Sequence, residues 1–274
     1  MMRLNRKVKF LSAIVIILFV LWTIIPMLVI MQQSIKPRSL MFVDPPVFIF
    51  TPTIEHYFSL FTRYEILQYM KNSLIVSLSA TALCLTLGTM AAYAFSSLKL
   101  PGKKFWAFMI LVTRMVPVGA LMIPIYVMMR RIGLSNTYFA VILAHAVLNL
   151  AFVIWMMWSF FSDVPKELEQ AAMVDGCSKI QAFFRISLPL ASAGFAATSI
   201  LTMLNSWNEF MFALILSSNR TRTLPIGIAN FIGPQIDWGA STAGAVVACV
   251  PIFAAGIFIQ KYLIRGLTMG AIKG

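Results

Sequence analysis

An all-α, polytopic membrane protein with six transmembrane helices is the fold class the sequence predicts, on three observations. Of its 274 residues, 60% are apolar and only 11% charged, where a soluble domain carries about 25% charged residues. So few polar groups cannot cover a water-facing surface, which makes a soluble enzyme, a disordered chain and a nucleic-acid-binding module poor readings. Mainly apolar runs of about 20 residues or more recur six times, at 10–31, 72–97, 106–130, 138–161, 188–216 and 240–264, each long enough to cross a hydrocarbon layer about 30 Å thick. The third observation is the uneven division of Lys and Arg between the connecting segments.

With six spans both termini share a side. Placing them in the cytosol puts thirteen cations inside, among them Arg3, Arg6, Lys7, Lys9, Lys99, Lys103 and Lys104, and eight outside, with Arg114 inside a span. That bias predicts cytosolic termini, and it assigns most of the +13 net charge to topology rather than to a nucleic-acid partner. The cations before the first span resemble a signal-peptide n-region. The apolar run that follows is longer than the 7–15 residues or so of an h-region and no A-x-A site comes after it, so the helix is read as retained.

Residues 32–71 form an outside connection in which Pro37, Pro45, Pro46 and Pro52 precede Tyr57-Phe58-Ser59-Leu60-Phe61, a stretch suited to a short helix lying along the interface. The chain thus divides into 1–71, the first helix with its external loop, and 72–274, a core of five helices. In the third span Arg114 needs water, a carbonyl or an acid, because a lone cation at that depth costs about 2.5–3.5 kcal/mol or more. Pro117 and Pro124 free carbonyls nearby, a structural role for Arg114 that is preferred here to substrate binding. Met122, Met128, Met129, Met156 and Met157 read as adaptable packing. Cys84, Cys177 and Cys249 are far apart, and with only His56 and His145 beside them no metal site is expected.

The fourth and fifth spans carry polar residues at matching depth. His145 and Asn149 are one turn apart, and Thr202 and Asn205 lie at a similar level, with Ser206 and Glu209 continuing toward the outer end. Asn149, Thr202, Asn205 and Glu209 offer donors and acceptors to a hydroxyl-rich ligand, so these six are candidates for a translocation pathway. Hydrogen bonding between helices is the competing reading. The outside segment 217–239, with Arg220, Arg222 and several apolar residues, is longer than a connection requires: either a docking loop or a re-entrant plug.

The inside loop 163–189 holds the most specific signal. Pro165 suits a first helical turn, Asp163 stands where a cap belongs, and Glu167 and Glu169 fall at the positive end of the dipole, predicting a helix from about 165 to 174. Gly176 stops it, and Ser178 caps a second helix. So short a helix is marginal alone and needs a partner. Leu168, Ala171 and Ala172 form a face open to close approach by a second protein, with a connector lying on the membrane surface as the competing reading.

The string Glu169-Gln170-Ala171-Ala172, then Asp175-Gly176, then Ile186-Ser187-Leu188-Pro189 resembles the EAA loop of the permease subunits of binding-protein-dependent ABC importers. Four further stretches resemble the maltose-permease (MalG-like) carbohydrate branch: Asn72-Ser73-Leu74-Ile75-Val76, Ala91-Ala92-Tyr93-Ala94-Phe95 with Pro101-Gly102, Ser206-Trp207-Asn208-Glu209-Phe210, and the closing Gly266 to Gly274. The resemblance covers about 70–274. It implies a coupling helix seated in a cytosolic ATPase, with Glu169, Gln170, Ala171, Ala172, Asp175, Gly176, Leu188 and Pro189 as coupling residues. Gln170 departs from the family's glutamate, which pairs with a basic residue of the ATPase; Gln170 forms a hydrogen bond but no ion pair, so either neighbouring Glu169 substitutes or the contact is weaker.

No G-x-x-x-x-G-K-[ST] pattern occurs, so ATP, the one cofactor implied, is expected on a partner subunit and not on this chain. The resemblance implies a second homologous permease, two copies of the ATPase, an extracellular solute-binding protein, a carbohydrate substrate, and a place among the lipids of a bacterial or archaeal inner membrane. It implies no enzymatic activity. A secondary transporter would show inverted repeats and buried coupling-ion carboxylates, and an intramembrane enzyme would cluster carboxylates or pair a nucleophile with a base; neither pattern is visible in the sequence.

Overall fold

The computed structural model describes residues 6–231 and 237–270. Outside the described residues lie Arg3, the end of the closing motif from Ala271, and the 232–236 stretch of the external segment. The described residues contain helices and no strand.

Among the described residues four helices are long and apolar enough to cross a membrane unbroken, and two bent pairs bring the crossings to six when each pair counts as one. The continuous ones are α1 (Arg6–Ser34), α3 (Ile66–Ser97), α6 (Tyr138–Ser162) and α13 (Trp238–Gly270). Between them run α2 (Glu55–Thr62), α4 (Lys103–Thr113), α5 (Val118–Arg131), α7 (Lys166–Val174), α8 (Lys179–Ala182), α9 (Leu188–Leu190), α10 (Ser192–Trp207), α11 (Met211–Leu216) and α12 (Leu224–Ala229). A π-helical turn, Phe183–Ser187, joins α8 to α9.

Two expected spans are not continuous. The third is bent by 90° between α4 and α5. Pro117 occupies the N-cap of α5 with an extended ψ of 131°, and the Arg114 and Met115 amides close tight turns onto Leu111 and Val112. Proline restricts the residue before it to extended backbone, so α4 ends there. Pro124, by contrast, is carried inside α5. The fifth expected span, 188–216, is cut at both ends. Its first residues belong to the incoming helical segment, which meets α10 at 80°. Asn208–Phe210 then interrupts before α11, where both Glu209 oxygens accept the freed Phe212 and Ala213 amides at 2.9 and 3.1 Å. Backbone released within a membrane needs such partners.

The chain divides into two compact units, Met1–Ile66 with Ile228–Val250, and Leu67–Gly227 with Pro251–Gly274. In the first, no residue in the apolar window of α1 is buried, as suits a helix that presents its side chains to lipid. The expected short helix is α2, which exposes Phe58 and Phe61 and buries Ser59 and Leu60. His56 is buried with Nε2 2.7 Å from the Lys36 carbonyl and its ring against Gly239, where a side chain would collide. Arg38 joins Asp237 at 2.9 Å, and the Tyr64 hydroxyl donates to the same carboxylate at 3.1 Å. Burial, reinforced by the Asp237 charge, raises the Tyr64 phenol above its ordinary value.

The second unit is built around α6. Its small residues Ala140, Ala144, Ala146 and Ala151 are buried and let neighbouring helices come close. A Cβ at Gly88 would stand 2.7 Å from Val153 Cγ1, and one at Gly194 would strike the Phe160 ring. Met129 and Met157 are buried within these packed clusters, which fits their reading as packing residues.

Candidate coupling face and polar cavity

The helix expected at 165–174 is α7, Lys166–Val174. Pro165 is its N-cap and gives no side-chain bond, while Asp163, expected to cap it, instead terminates α6. Gly176 takes a φ of +91°, a left-handed conformation that a side chain would strain. Ser178 then caps α8 in a reciprocal capping box with Gln181.

Glu169 does not face outward as a substitute for the missing charge. It is 8% exposed, and Oε1 accepts the Ser187 hydroxyl at 2.6 Å and the Ser97 hydroxyl at 3.1 Å, with the Tyr93 hydroxyl 3.4 Å from Oε2. One carboxylate thereby ties α7 to the end of α3 and to the π turn leading to α9. Sequence reading missed these partners because Tyr93, Ser97 and Ser187 lie 76, 72 and 18 residues from Glu169. Gln170 and Ala171 are exposed and Ala172 is buried. A groove of about 420 Å³ opens beside them, lined by Leu168, Ala171, Asp175, Arg185, Pro189 and Leu190 among others. Leu168 in the groove wall, and Val174, Ile180 and Phe184 elsewhere in the loop, leave large apolar surfaces exposed. Leu188, partly buried, packs instead against the core cluster that contains Phe183.

The intramembrane candidates separate into two groups. His145, fully buried, shares a 2.7 Å hydrogen bond between Nδ1 and Ser206 Oγ, and its Nε2 lies 3.0 Å from Glu209 Oε2, close to the carboxylate but not in line with it. This trio joins α6 to the break after α10. Asn149 and Asn205 face a cavity of about 440 Å³ whose wall also includes Glu209, Arg114, Val118 and Val147. The Asn149 amide donates to the His145 carbonyl at 2.9 Å. Thr202 stays out of the cavity wall: it is buried and donates to the Thr198 carbonyl of its own helix at 2.7 Å.

Arg114 does not reach a carbonyl freed by either proline. Among the described residues it makes no ion pair, and its guanidinium carbon stands 5.5 Å from the centroid of the Phe152 ring.

The first part of the external segment is drawn in. Buried Asn72 donates to the Arg220 and Arg222 carbonyls at 3.0 and 2.7 Å and accepts the Tyr138 hydroxyl at 2.6 Å. Ser73 accepts the Leu224 amide at 2.7 Å, and Gly227 is buried against Tyr69. Residues 220–227 are therefore fixed from Asn72 and Ser73, whose role at the head of the second span no local signal revealed.

Residues 84–269 match the family model described as "binding-protein-dependent transport system inner membrane component". The sulfoquinovosyl glycerol transport system permease protein SmoH of Agrobacterium fabrum is 33% identical over 98% of this chain and 95% of its own length. The trehalose/maltose transport system permease protein MalG of Thermococcus litoralis is 33% identical over 85% of this chain and 88% of its own. In fold, the chain is similar to a solved bacterial ABC transporter involved in the import of the acidic polysaccharide alginate. The TM-score is 0.79 at 20% identity, covering 96% of this chain and 98% of that one.

Proposed function

Since the chain belongs to the family of binding-protein-dependent transport system inner membrane components, we propose that it forms part of the membrane pathway for a carbohydrate handed over by an extracellular binding protein. It is a multi-pass permease subunit of an ABC importer, a transporter and not an enzyme. The observation that carries the carbohydrate reading is identity of 33%, over nearly the whole chain, to a permease named for a glycoside. The cavity supports it: Asn149 and Asn205 supply neutral polar groups for hydroxyls, while Val118 and Val147 supply apolar wall for the faces of a sugar ring.

ATP is held by two copies of a separate ATPase, and a second homologous permease completes the pathway in a bacterial or archaeal inner membrane. Movement of the ATPase is received in the groove beside Ala171 and passed through α7. Glu169 carries it to α3 and to the turn entering α10, which bears Asn205. Alternating access is then a rigid-body displacement of helices around the cavity.

The test is uptake of a panel of labelled sugars, oligosaccharides and polyols by the complete transporter in proteoliposomes, with binding protein outside and ATP inside. Accumulation of at least one carbohydrate supports the reading. Accumulation confined to amino acids, peptides or inorganic ions overturns it.

A further inference from the structure

The cavity contains one cation and one acid, and they are not equally free. Glu209 Oε1 accepts the Phe212 amide, while Oε2 accepts the Ala213 amide and lies against His145 Nε2. Its charge is spent on holding the helix break and the His145 ring. Arg114 lines the same cavity, exposed, and among the described residues no carboxylate stands within ion-pair distance of it. Phe152 beneath the guanidinium orients it but does not neutralise it. Arg114 follows Lys103, the first residue of α4, by eleven positions, about 16 Å of helix. Charge held at such depth needs compensation and marks a ligand path by default.

We propose that Arg114 reads an anionic substituent, a carboxylate or sulfonate, on the transported sugar. This rests on the carbohydrate reading and narrows it to acidic sugars. The planar guanidinium presents paired N–H donors that match the oxygens of such a group. Within the cavity Asn149 Oδ1, its second amide N–H and the Asn205 amide remain for hydroxyls, one Asn149 N–H being given to the His145 carbonyl. A neutral sugar leaves the guanidinium uncompensated, and an anionic one supplies its counter-charge in the same volume.

The experiment uses the complete transporter in proteoliposomes and matched disaccharides, one ending in a uronate and the other carrying the corresponding primary alcohol. Small non-sugar carboxylates complete the set. The uronate should be taken up about tenfold or more faster than the neutral partner, the range of one charge-assisted bond. Arg114→Gln should remove that preference by slowing the uronate alone, and Arg114→Lys should restore part of it.

Faster or equal uptake of the neutral member overturns the proposal while the carbohydrate reading stands. Equal losses for both members in Arg114→Gln also overturn it, and assign the residue to assembly or to an acid of the partner permease. Uptake of the non-sugar acids alone overturns the carbohydrate reading instead.

Discussion

Glu169→Ala should uncouple ATP hydrolysis from transport without stopping the ATPase from docking. The carboxylate accepts two short hydroxyl bonds, from Ser187 at 2.6 Å and Ser97 at 3.1 Å, and a weak third from Tyr93 at 3.4 Å. Bonds to a charged acceptor are worth about 1.5–3 kcal/mol each, and sharing one acceptor in a single network brings the joint loss to about 2–4 kcal/mol. That corresponds to a roughly 30- to 900-fold shift toward an α7 detached from α3 and from the π turn. Ser187, with no exposed surface, is left without its acceptor, which adds to the loss.

Gln170 and Ala171, the proposed docking face, are untouched, so the ATPase should still co-purify. Transport per ATP hydrolysed should fall at least several-fold, and hydrogen exchange over 166–176 should accelerate. Ser97→Ala with Ser187→Ala should reproduce the effect. An unchanged transport-to-hydrolysis ratio together with unchanged exchange in Glu169→Ala would show that Glu169 does not tie α7 to α3. Parallel loss of ATPase capture would instead make Glu169 a determinant of docking.

Gln170→Glu should leave transport intact and strengthen ATPase association by about 0–1 kcal/mol, read as salt-sensitive retention in a pull-down, because the exposed side chain regains the family's charge. Ala171→Trp, which fills the exposed side of the groove, and Gly176→Val, which costs about 1–3 kcal/mol at a φ of +91°, should each lower ATPase capture while membrane insertion persists. Asn72→Ala leaves the Arg220 and Arg222 carbonyls and the Tyr138 hydroxyl short of a partner, at about 1–3 kcal/mol for each group that stays buried. Trypsin should then cut at Arg220 or Arg222 at least tenfold faster, and an unchanged cleavage rate would show that Asn72 does not hold the segment.

Hydropathy located α1, α3, α6 and α13 because an apolar run about 20 residues long has few alternatives in lipid. Local chemistry was equally legible: Gly176 and the Ser178 capping box follow from residues within one turn of each other. The breaks were not. Pro117 and Pro124 look alike in sequence, yet only the first starts a helix, and the choice rests on packing around α5 that no short window contains. The interruption at Asn208–Phe210 depends on Glu209 turning its carboxylate to the amides that follow.

In the candidate site, matching depth brought the fourth and fifth spans together correctly, but the residue that meets His145 is Ser206, while Thr202 bonds within its own helix. Rotation about a helix axis, rather than height along it, decides such pairs. Glu169 is the same lesson at the coupling face, where its position in the first turn suggested a dipole role and distant hydroxyls gave it another. Exposure within segment 217–239 was not legible either: Gly227 is buried against Tyr69, while Asn230 is exposed.

The most direct test of the central claim is the energy source. Proteoliposomes containing both permeases, with the binding protein and a labelled carbohydrate outside and ATP sealed inside, are compared with and without the ATPase subunits, and with and without proton or sodium gradients. Accumulation against the gradient is expected only when ATPase and ATP are both present, unaffected by collapse of the ion gradients. Accumulation driven by an ion gradient in the absence of the ATPase would contradict the claim.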